Sequence, residues 1–104
     1  LEDDKVAFIT ISDDVMKATG AKEEECDGIV NIARNISGVE VAVMMRSRSD
    51  GEVKVNLRSN SYVDVSEIAK LYSGGGHKRA AGCTVKGNSE DIRSKLLDDI
   101  RKVL

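Results

Sequence analysis

Two segments with alternating apolar side chains, joined by Ser49-Asp50-Gly51, restrict the possible folds of this chain more than any other feature. The apolar positions are Val39, Val41, Val43 and Met45 in the first segment and Val53, Val55 and Leu57 in the second. A three-residue loop with Gly51 in the left-handed conformation connects such segments into a β-hairpin. The pairs that this loop length predicts are Val43 with Leu57 and Met45 with Val55. Both apolar faces then lie on one side of the hairpin.

The opposite face of this hairpin is polar and carries a local excess of positive charge. Its side chains are Arg46, Lys54, Asn56 and Arg58. The whole chain has a net charge of −2, but residues 1–43 have a balance of −6 and residues 44–87 a balance of +4. Such an asymmetry is typical of a local anion-binding surface on an acidic protein. Simple exposure to solvent is the alternative explanation for this face.

Six further elements are predicted around the hairpin, in the overall order β-α-α-β-β-α-β-α. Before the hairpin they are a strand over 6–11, a short helix from Ser12 to Gly20, and a helix over 22–37 that ends at Gly38. After the hairpin they are a helix capped by Asp64 and Glu67, a strand over 82–85, and a helix capped by Asn88. The last helix places Ile92, Leu96, Ile100 and Val103 inward. This order predicts the α/β class. We expect a small mixed sheet of about four to five strands with helices packed on it, two of them on one side.

Length and composition fit one domain that covers residues 1–104. No apolar run approaches the ~20 residues that cross a bilayer. Cys26 and Cys83 are too few and too far apart for a disulfide framework or a zinc cluster, so we expect buried thiols in a cytoplasmic protein. The sequence begins at Leu1 and its first methionine is Met16, so we expect a piece of a longer protein.

The sequence Ser73-Gly74-Gly75-Gly76-His77-Lys78-Arg79 carries the strongest indication of function. Glycine allows a ligand to approach the backbone closely, and successive N–H groups on such a turn can form an anion site. His77, Lys78 and Arg79 add donors and positive charge, so the simplest ligand is a phosphate. With one Phe, two Tyr and no Trp, the chain offers little for base stacking, which favours a short substrate held by its phosphates.

Four sequence elements together resemble the C-terminal DHH-associated domain of the DHH phosphoesterases. They are Val55-Asn56-Leu57-Arg58-Ser59, Val63-Asp64-Val65 with Ile68-Ala69, Gly74-Gly75-Gly76-His77, and Ala80-Ala81-Gly82. The resemblance spans nearly the whole chain and is strongest to bacterial members described as oligoribonucleases (nanoRNases) and 3′-phosphoadenosine-5′-phosphate phosphatases. It implies a two-domain enzyme in which this chain is the substrate-binding half. It also implies that an N-terminal DHH domain holds catalytic manganese, while this chain supplies neither a metal ligand nor a catalytic residue.

The resemblance further implies which residues contact substrate phosphates. They are Arg58, Ser59, Gly74, Gly75, Gly76 and His77. The planar guanidinium of Arg58 matches two phosphate oxygens, and His77 is expected to donate to a phosphate oxygen rather than act as a general acid. Arg46, Lys78 and Arg79 are secondary candidates, which either line the same cleft or point away from it.

Two departures from the family leave the substrate open, because many members have glycine where Ser73 stands and serine where Asn56 stands. The expected partners are a short oligonucleotide or nucleotide bisphosphate, the enzyme's own DHH domain and, in the full enzyme, a second copy. The same kind of domain also serves cyclic dinucleotide phosphodiesterases, polyphosphatases and RecJ-like exonucleases. A related domain ends alanyl-tRNA synthetases, where it contacts RNA or dimerises, and a purely structural role for the glycine turn is the remaining alternative.

Overall fold

The computed structural model of the chain describes residues 5–12, 18, 20, 23–36, 38–48 and 50–104. Five strands and three helices occupy these residues: β1 (Val6–Ser12), α1 (Glu23–Arg34), β2 (Val41–Ser47), β3 (Glu52–Ser59), α2 (Val65–Lys70), β4 (Gly75–His77), β5 (Ala80–Lys86) and α3 (Ser89–Arg101). The short helix predicted between Ser12 and Gly20 lies largely outside the described residues. No helix in the described part of the chain is long and apolar enough to cross a membrane.

The five strands form one mixed sheet in the order β1-β2-β3-β5-β4. β1 runs parallel to β2, and the other three neighbouring pairs are antiparallel. The predicted α/β class and the mixed sheet of four to five strands are therefore confirmed. The additional strand is β4, because Gly75–His77 pairs with β5 at the sheet edge, where the sequence predicts only a turn.

The hairpin formed by β2 and β3 has the predicted register. Val43 pairs with Leu57 and Met45 pairs with Val55. Gly51 has a φ of 84°, which is the left-handed conformation that the three-residue loop requires. The loop is closed by the N–H of Glu52, which donates to the carboxylate of Asp50 at 3.1 Å. Loop length and apolar alternation were thus sufficient to predict this part of the sheet.

The two faces of the sheet are buried by different helices. On the first face, which contains Met45 and Leu57, α2 and α3 complete the main hydrophobic core. On the second face, which contains Ala42 and Met44, α1 packs through Val30 and Ala33. The prediction of two helices on one side is correct for α2 and α3. Val39 packs in the hydrophobic cluster of the second face, so its predicted place on the same face as Val41 is wrong. Val39 precedes β2, which begins only at Val41.

The predicted caps of α2 and α3 are confirmed. The carboxylate of Asp64 accepts the N–H of Ser66 at 3.0 Å, and the side chain of Asn88 accepts the N–H of Asp91 at 2.8 Å. Glu67 forms an ion pair with Lys70 at 3.3 Å, which is not the predicted capping box. The inward placement of Val103 is also wrong, because α3 ends at Arg101 and Val103 is 50% exposed.

Cys83 is a buried free thiol on β5, as predicted, and the side chain of Cys26 lies outside the described residues. Burial raises the pKa of the Cys83 thiol to about 11. A thiol with such a pKa stays protonated near neutral pH and is a poor nucleophile. Cys83 therefore acts as a small packing side chain.

Candidate functional site

The part of the second face formed by β3, β5 and β4 brings Arg58 and His77 together. Arg58 pairs with Ala80 on β5, and Ala80 pairs in turn with His77 on β4. Directly paired residues project to the same face, and neighbouring strands lie ~4.8 Å apart, so the backbones of Arg58 and His77 are about 10 Å apart. Only the methyl group of Ala80 rises between them. Two nitrogen-rich side chains therefore flank a low point of the sheet surface.

The next row of the same face continues this low surface. Asn56 pairs with Gly82, and Gly82 pairs with Gly75. We call this surface the trough. Arg58 and His77 bound it, and Ala80, Gly82 and Gly75 form its floor. His77 and Gly75 are exposed, and the other three residues are half-buried. Because the floor carries at most a methyl group per residue, a ligand can reach the backbone.

The three consecutive glycines have different roles in this arrangement. A Cβ atom at Gly74 would meet the carbonyl oxygen of Gly82 and lie 2.6 Å from the Cβ of Cys83. A Cβ atom at Gly76, where φ is 146°, would lie 2.7 Å from the carbonyl oxygen of Ala80. Packing against β5 therefore requires both of these glycines. A Cβ atom at Gly75 would meet nothing within 4 Å, so Gly75 is the glycine that faces open space.

Ser73 connects α2 to this edge strand in an unusual conformation. Its φ is 64°, and it is the one described residue other than glycine with a positive φ. The N–H of Gly74 then donates to the carbonyl oxygen of Ala69 at 2.8 Å, which ends the helix. A left-handed residue at a helix end is usually glycine. Glycine at this position would adopt the same conformation without the steric cost that Ser73 has.

Arg58 and Ser59 project to opposite faces of the sheet, because consecutive residues of a strand alternate. The guanidinium of Arg58 donates to the carbonyl oxygen of Leu57 at 3.0 Å and remains on the trough side. Ser59 is 1% exposed, and its hydroxyl donates to the carbonyl oxygen of Val63 at 2.6 Å. The structure does not bring the Ser59 side chain together with Arg58 and His77. Ser59 instead holds the loop that follows β3.

Arg79 and Lys78 also lie apart from the trough. The guanidinium of Arg79 donates to the carbonyl oxygens of Val63 and Ser61, both at 2.6 Å, so it clamps the loop that follows β3. Lys78 is exposed, and its carbonyl oxygen accepts the first N–H of α2, from Val65, at 2.9 Å. The Arg79 guanidinium is therefore engaged away from the trough, and the charge of the Lys78 side chain contributes to the lowered pKa of Asp64 at the start of α2.

Arg46 shares the second face with Arg58 but is distant from it. It pairs with Lys54, which precedes Arg58 by four residues on β3. A strand rises ~3.3 Å per residue, so Lys54 and Arg58 are about 13 Å apart along the strand. Arg46 therefore lies outside the trough, on the same side of the sheet.

Glu40 is a structural residue of the site that the sequence analysis did not identify. It is 6% exposed, and its carboxylate accepts the N–H groups of Ser61, Tyr62 and Val63 at 3.0 to 3.2 Å. Burial by itself raises the pKa of Glu40, but these hydrogen bonds and one from the Ser61 hydroxyl outweigh it and lower the pKa. A single acidic residue between Val39 and Val41 was the available signal. Its role is to fix the loop that begins directly after Arg58 and Ser59.

The chemistry of the trough is that of anion binding rather than metal binding. Arg58 supplies a planar fork of donors, His77 supplies an imidazole, and the edge strand β4 presents backbone groups on its unpaired side. Among the described residues, no three His, Cys, Asp or Glu side chains are grouped so as to hold a metal ion. The arrangement can bind and orient a phosphate.

Comparisons with known proteins identify the family and the relatives of this chain. The DHHA1 domain family matches residues 3–104. The bifunctional oligoribonuclease and PAP phosphatase NrnA of Thermus thermophilus is 39% identical over 83 residues, which are 79% of this chain and 25% of that protein. The probable NrnA of Streptococcus mutans is 35% identical over 100 residues, which are 92% of this chain and 32% of that protein.

The fold is also found among solved structures. An exopolyphosphatase-related protein from Bacteroides fragilis superposes with a TM-score of 0.81 and 24% identity, covering 95% of this chain and 29% of that protein. At this identity the likeness shows the fold alone. The chain thus spans about a quarter to a third of the length of these relatives. The match over residues 3–104 shows that the chain belongs to the DHHA1 domain family.

Proposed function

We propose that this domain binds the phosphate of a short oligonucleotide or of a nucleotide 3′,5′-bisphosphate and presents it to a separate catalytic domain of a phosphoesterase. The observation that carries the proposal is the trough, in which Arg58 and His77 face each other across Ala80. The names of the NrnA relatives, which combine oligoribonuclease and PAP phosphatase activities, support this substrate class.

The geometry favours a phosphate over other anions. The fork of Arg58 can donate two parallel hydrogen bonds to adjacent oxygens of a tetrahedral phosphate. His77 approaches from the opposite side and can donate to a third oxygen. Gly75 leaves the space above the floor empty, so the phosphate can approach the backbone. Each hydrogen bond to a charged group contributes ~1.5–3 kcal/mol, before the entropy of association is subtracted.

The proposal divides binding from chemistry. Manganese, which is implied by the family, would supply a metal-activated water for attack on phosphorus. The described residues do not fit such a centre, because they contain no cluster of metal ligands. We therefore place the metal in another domain and assign this chain the task of holding the substrate. A cytoplasmic location and a homodimeric full enzyme remain predictions from the sequence.

Steady-state kinetics of the full-length protein that contains this domain test the proposal. Replacing Arg58 or His77 by Ala should lower kcat/KM by at least about tenfold, because each change removes a charge-assisted phosphate contact. Lys95→Ala is the matched control, since Lys95 is an exposed cation on α3, away from the trough. Unchanged kinetics in the Arg58 and His77 variants would contradict the proposal. An equal loss in the Lys95 variant would show that only overall charge matters.

A further inference from the structure

We infer that Arg79 is a positioning residue of the trough, because its guanidinium fixes the turn between β4 and β5 and thereby the place of His77 opposite Arg58. The inference rests on the proposed function, since the position of His77 matters only if its imidazole donates to the phosphate. In this assignment Arg79 does not touch the ligand, and it affects binding through His77.

The strand that carries His77 has few interactions of its own to hold it. β4 contains three residues, two of them glycine, and all three are exposed. In the described part of the chain, β4 has one neighbouring strand, β5, so it forms the edge of the sheet. Side chains that stay exposed add little stabilisation from apolar burial. The position of His77 therefore depends on its pairing with β5 and on the turn that joins the two strands.

The turn between β4 and β5 does not have a conformation that favours a hairpin by itself. His77 pairs with Ala80, so the loop consists of Lys78 and Arg79 alone. The favoured two-residue hairpin turns need a positive φ at one or both loop residues, and turns with two negative φ values splay the strands. Among the described residues, a positive φ occurs only at Ser73 and at glycines, so neither loop residue has one. Contacts from outside the turn must hold it closed.

The guanidinium of Arg79 provides such a contact. Its Nη1 donates to the carbonyl oxygen of Val63 and its Nη2 to that of Ser61, both at 2.6 Å. The planar fork of an arginine can donate to two acceptors in a fixed geometry, which a lysine ammonium cannot reproduce. The loop is itself fixed, because the carboxylate of Glu40 accepts the N–H groups of the same two residues. Arg79 thus ties the turn to a part of the domain that is already held.

Two backbone hydrogen bonds join the turn to the elements on either side of this loop. The N–H of Ser59, at the end of β3, donates to the carbonyl oxygen of Arg79 at 3.0 Å. The N–H of Val65, at the start of α2, donates to the carbonyl oxygen of the other turn residue at 2.9 Å. Arg58 directly precedes Ser59 in the chain. The same anchor therefore sets the position of His77 on β4 relative to Arg58 on β3.

A double-mutant cycle tests the inference, with the affinity of this chain for adenosine 3′,5′-bisphosphate measured by NMR titration. Arg79→Lys keeps the charge but loses the fork, and we expect it to weaken binding about fivefold. In the His77→Ala background the same change should alter the affinity less than twofold, because the position of an absent imidazole has no effect. Lys95→Gln, which removes an exposed charge from α3, is the control and should leave the affinity unchanged.

The ¹H–¹⁵N spectrum of the free protein gives a second readout that needs no ligand. In Arg79→Lys and in Arg79→Gln, we expect the amide signals of Gly75, Gly76 and His77 to shift or broaden, while the signals of α3 stay in place. That pattern would support a turn that is loosened in a folded domain. Loss of the folded spectrum in both variants would contradict the inference, because Arg79 would then be required for the whole domain.

The outcomes separate this inference from the proposed function. Bisphosphate binding that depends on His77 but is unchanged in Arg79→Lys would overturn the positioning role alone. A loss in Arg79→Lys that persists in full in the His77→Ala background would also overturn it, because Arg79 would then act on the ligand without His77. Absence of bisphosphate binding to the unmodified chain would overturn both the inference and the proposed function.

Discussion

Substitution of the adjacent glycines Gly74 and Gly75 by alanine should separate the stability of the edge strand from its ability to bind phosphate. At Gly74, the new methyl group would meet the carbonyl oxygen of Gly82, lie 2.6 Å from the Cβ of Cys83 and 2.9 Å from its Cα. Two of these three atoms belong to the backbone of β5, which cannot move without disturbing the sheet. Overpacking of this kind costs ~1–3 kcal/mol, and backbone obstruction places Gly74→Ala near the upper end.

At Gly75 the same substitution has the opposite consequence. No atom lies within 4 Å of the added methyl group, and Gly75 does not have a positive φ. Alanine at a compatible glycine position stabilises a protein by ~0.4–1 kcal/mol, mainly through the unfolded chain. The methyl group would, however, occupy the space in which the phosphate approaches the floor. We expect Gly75→Ala to be at least as stable as the unmodified chain and to bind phosphate about tenfold more weakly.

Urea or thermal unfolding, followed by a titration with adenosine 3′,5′-bisphosphate, measures both effects. For a domain of this size, 1 kcal/mol corresponds to a Tm shift of ~4–8 °C, so Gly74→Ala should lower Tm by at least about 8 °C. Gly75→Ala should leave Tm unchanged or slightly raised. The reasoning is refuted if Gly74→Ala melts with the unmodified chain, or if Gly75→Ala retains full affinity for the phosphate.

Three other predictions concern the residues that support the trough. Glu40→Gln should destabilise the domain by ~2–4 kcal/mol, because the carboxylate accepts several hydrogen bonds from the loop after β3. Because the folded state lowers the pKa of Glu40, the stability that Glu40 adds relative to Gln should be complete above the pKa of an unfolded glutamate. That stability should disappear as the pH falls through the lowered pKa. Urea unfolding from pH 7 to pH 3 measures the difference, and a difference that does not change with pH would contradict the prediction. Ser59→Ala should lower the free energy of unfolding by about 1 kcal/mol and leave the affinity for the bisphosphate unchanged. A loss of affinity without a loss of stability would instead show that Ser59 contacts the phosphate directly. Ser73→Gly should raise the free energy of unfolding by ~0.5–1 kcal/mol, because glycine adopts the positive φ without steric cost; a decrease in stability would show that the Ser73 side chain makes a necessary contact.

The hairpin and the caps were predictable because each depends on local rules. Apolar alternation and the length of one loop set the register of β2 and β3, and Asp64 and Asn88 cap helices through donors two or three residues away. The strand β4 was not predictable from its own residues, because Gly75–His77 has little strand propensity. It is a strand because Gly74 and Gly76 allow the chain to lie directly against β5.

The residues of the trough were named from the sequence and stay predicted site residues, whereas their arrangement is known only from the structure. Arg58 and Ser59 form one motif in the sequence, yet strand alternation separates them. The predicted register of β3 already places Arg58 on the polar face, and the burial of Ser59 shows that its side chain lies on the apolar face. The role of Arg79 depends on carbonyl oxygens of residues 61 and 63, which no local pattern relates to it. Glu40 was missed for the same reason, since its partners lie more than twenty residues ahead in the sequence.

A ¹H–¹⁵N NMR titration of this chain with adenosine 3′,5′-bisphosphate tests the central proposal most directly. We expect the largest shifts at the backbone amides of Arg58, Gly75 and His77, which surround the trough. Smaller shifts are expected at Ser61 to Val63, in the loop held by Glu40, and none at Lys95 on α3. Shifts centred elsewhere on the domain, or an unchanged spectrum at several millimolar ligand, would contradict the assignment of the trough as a phosphate site.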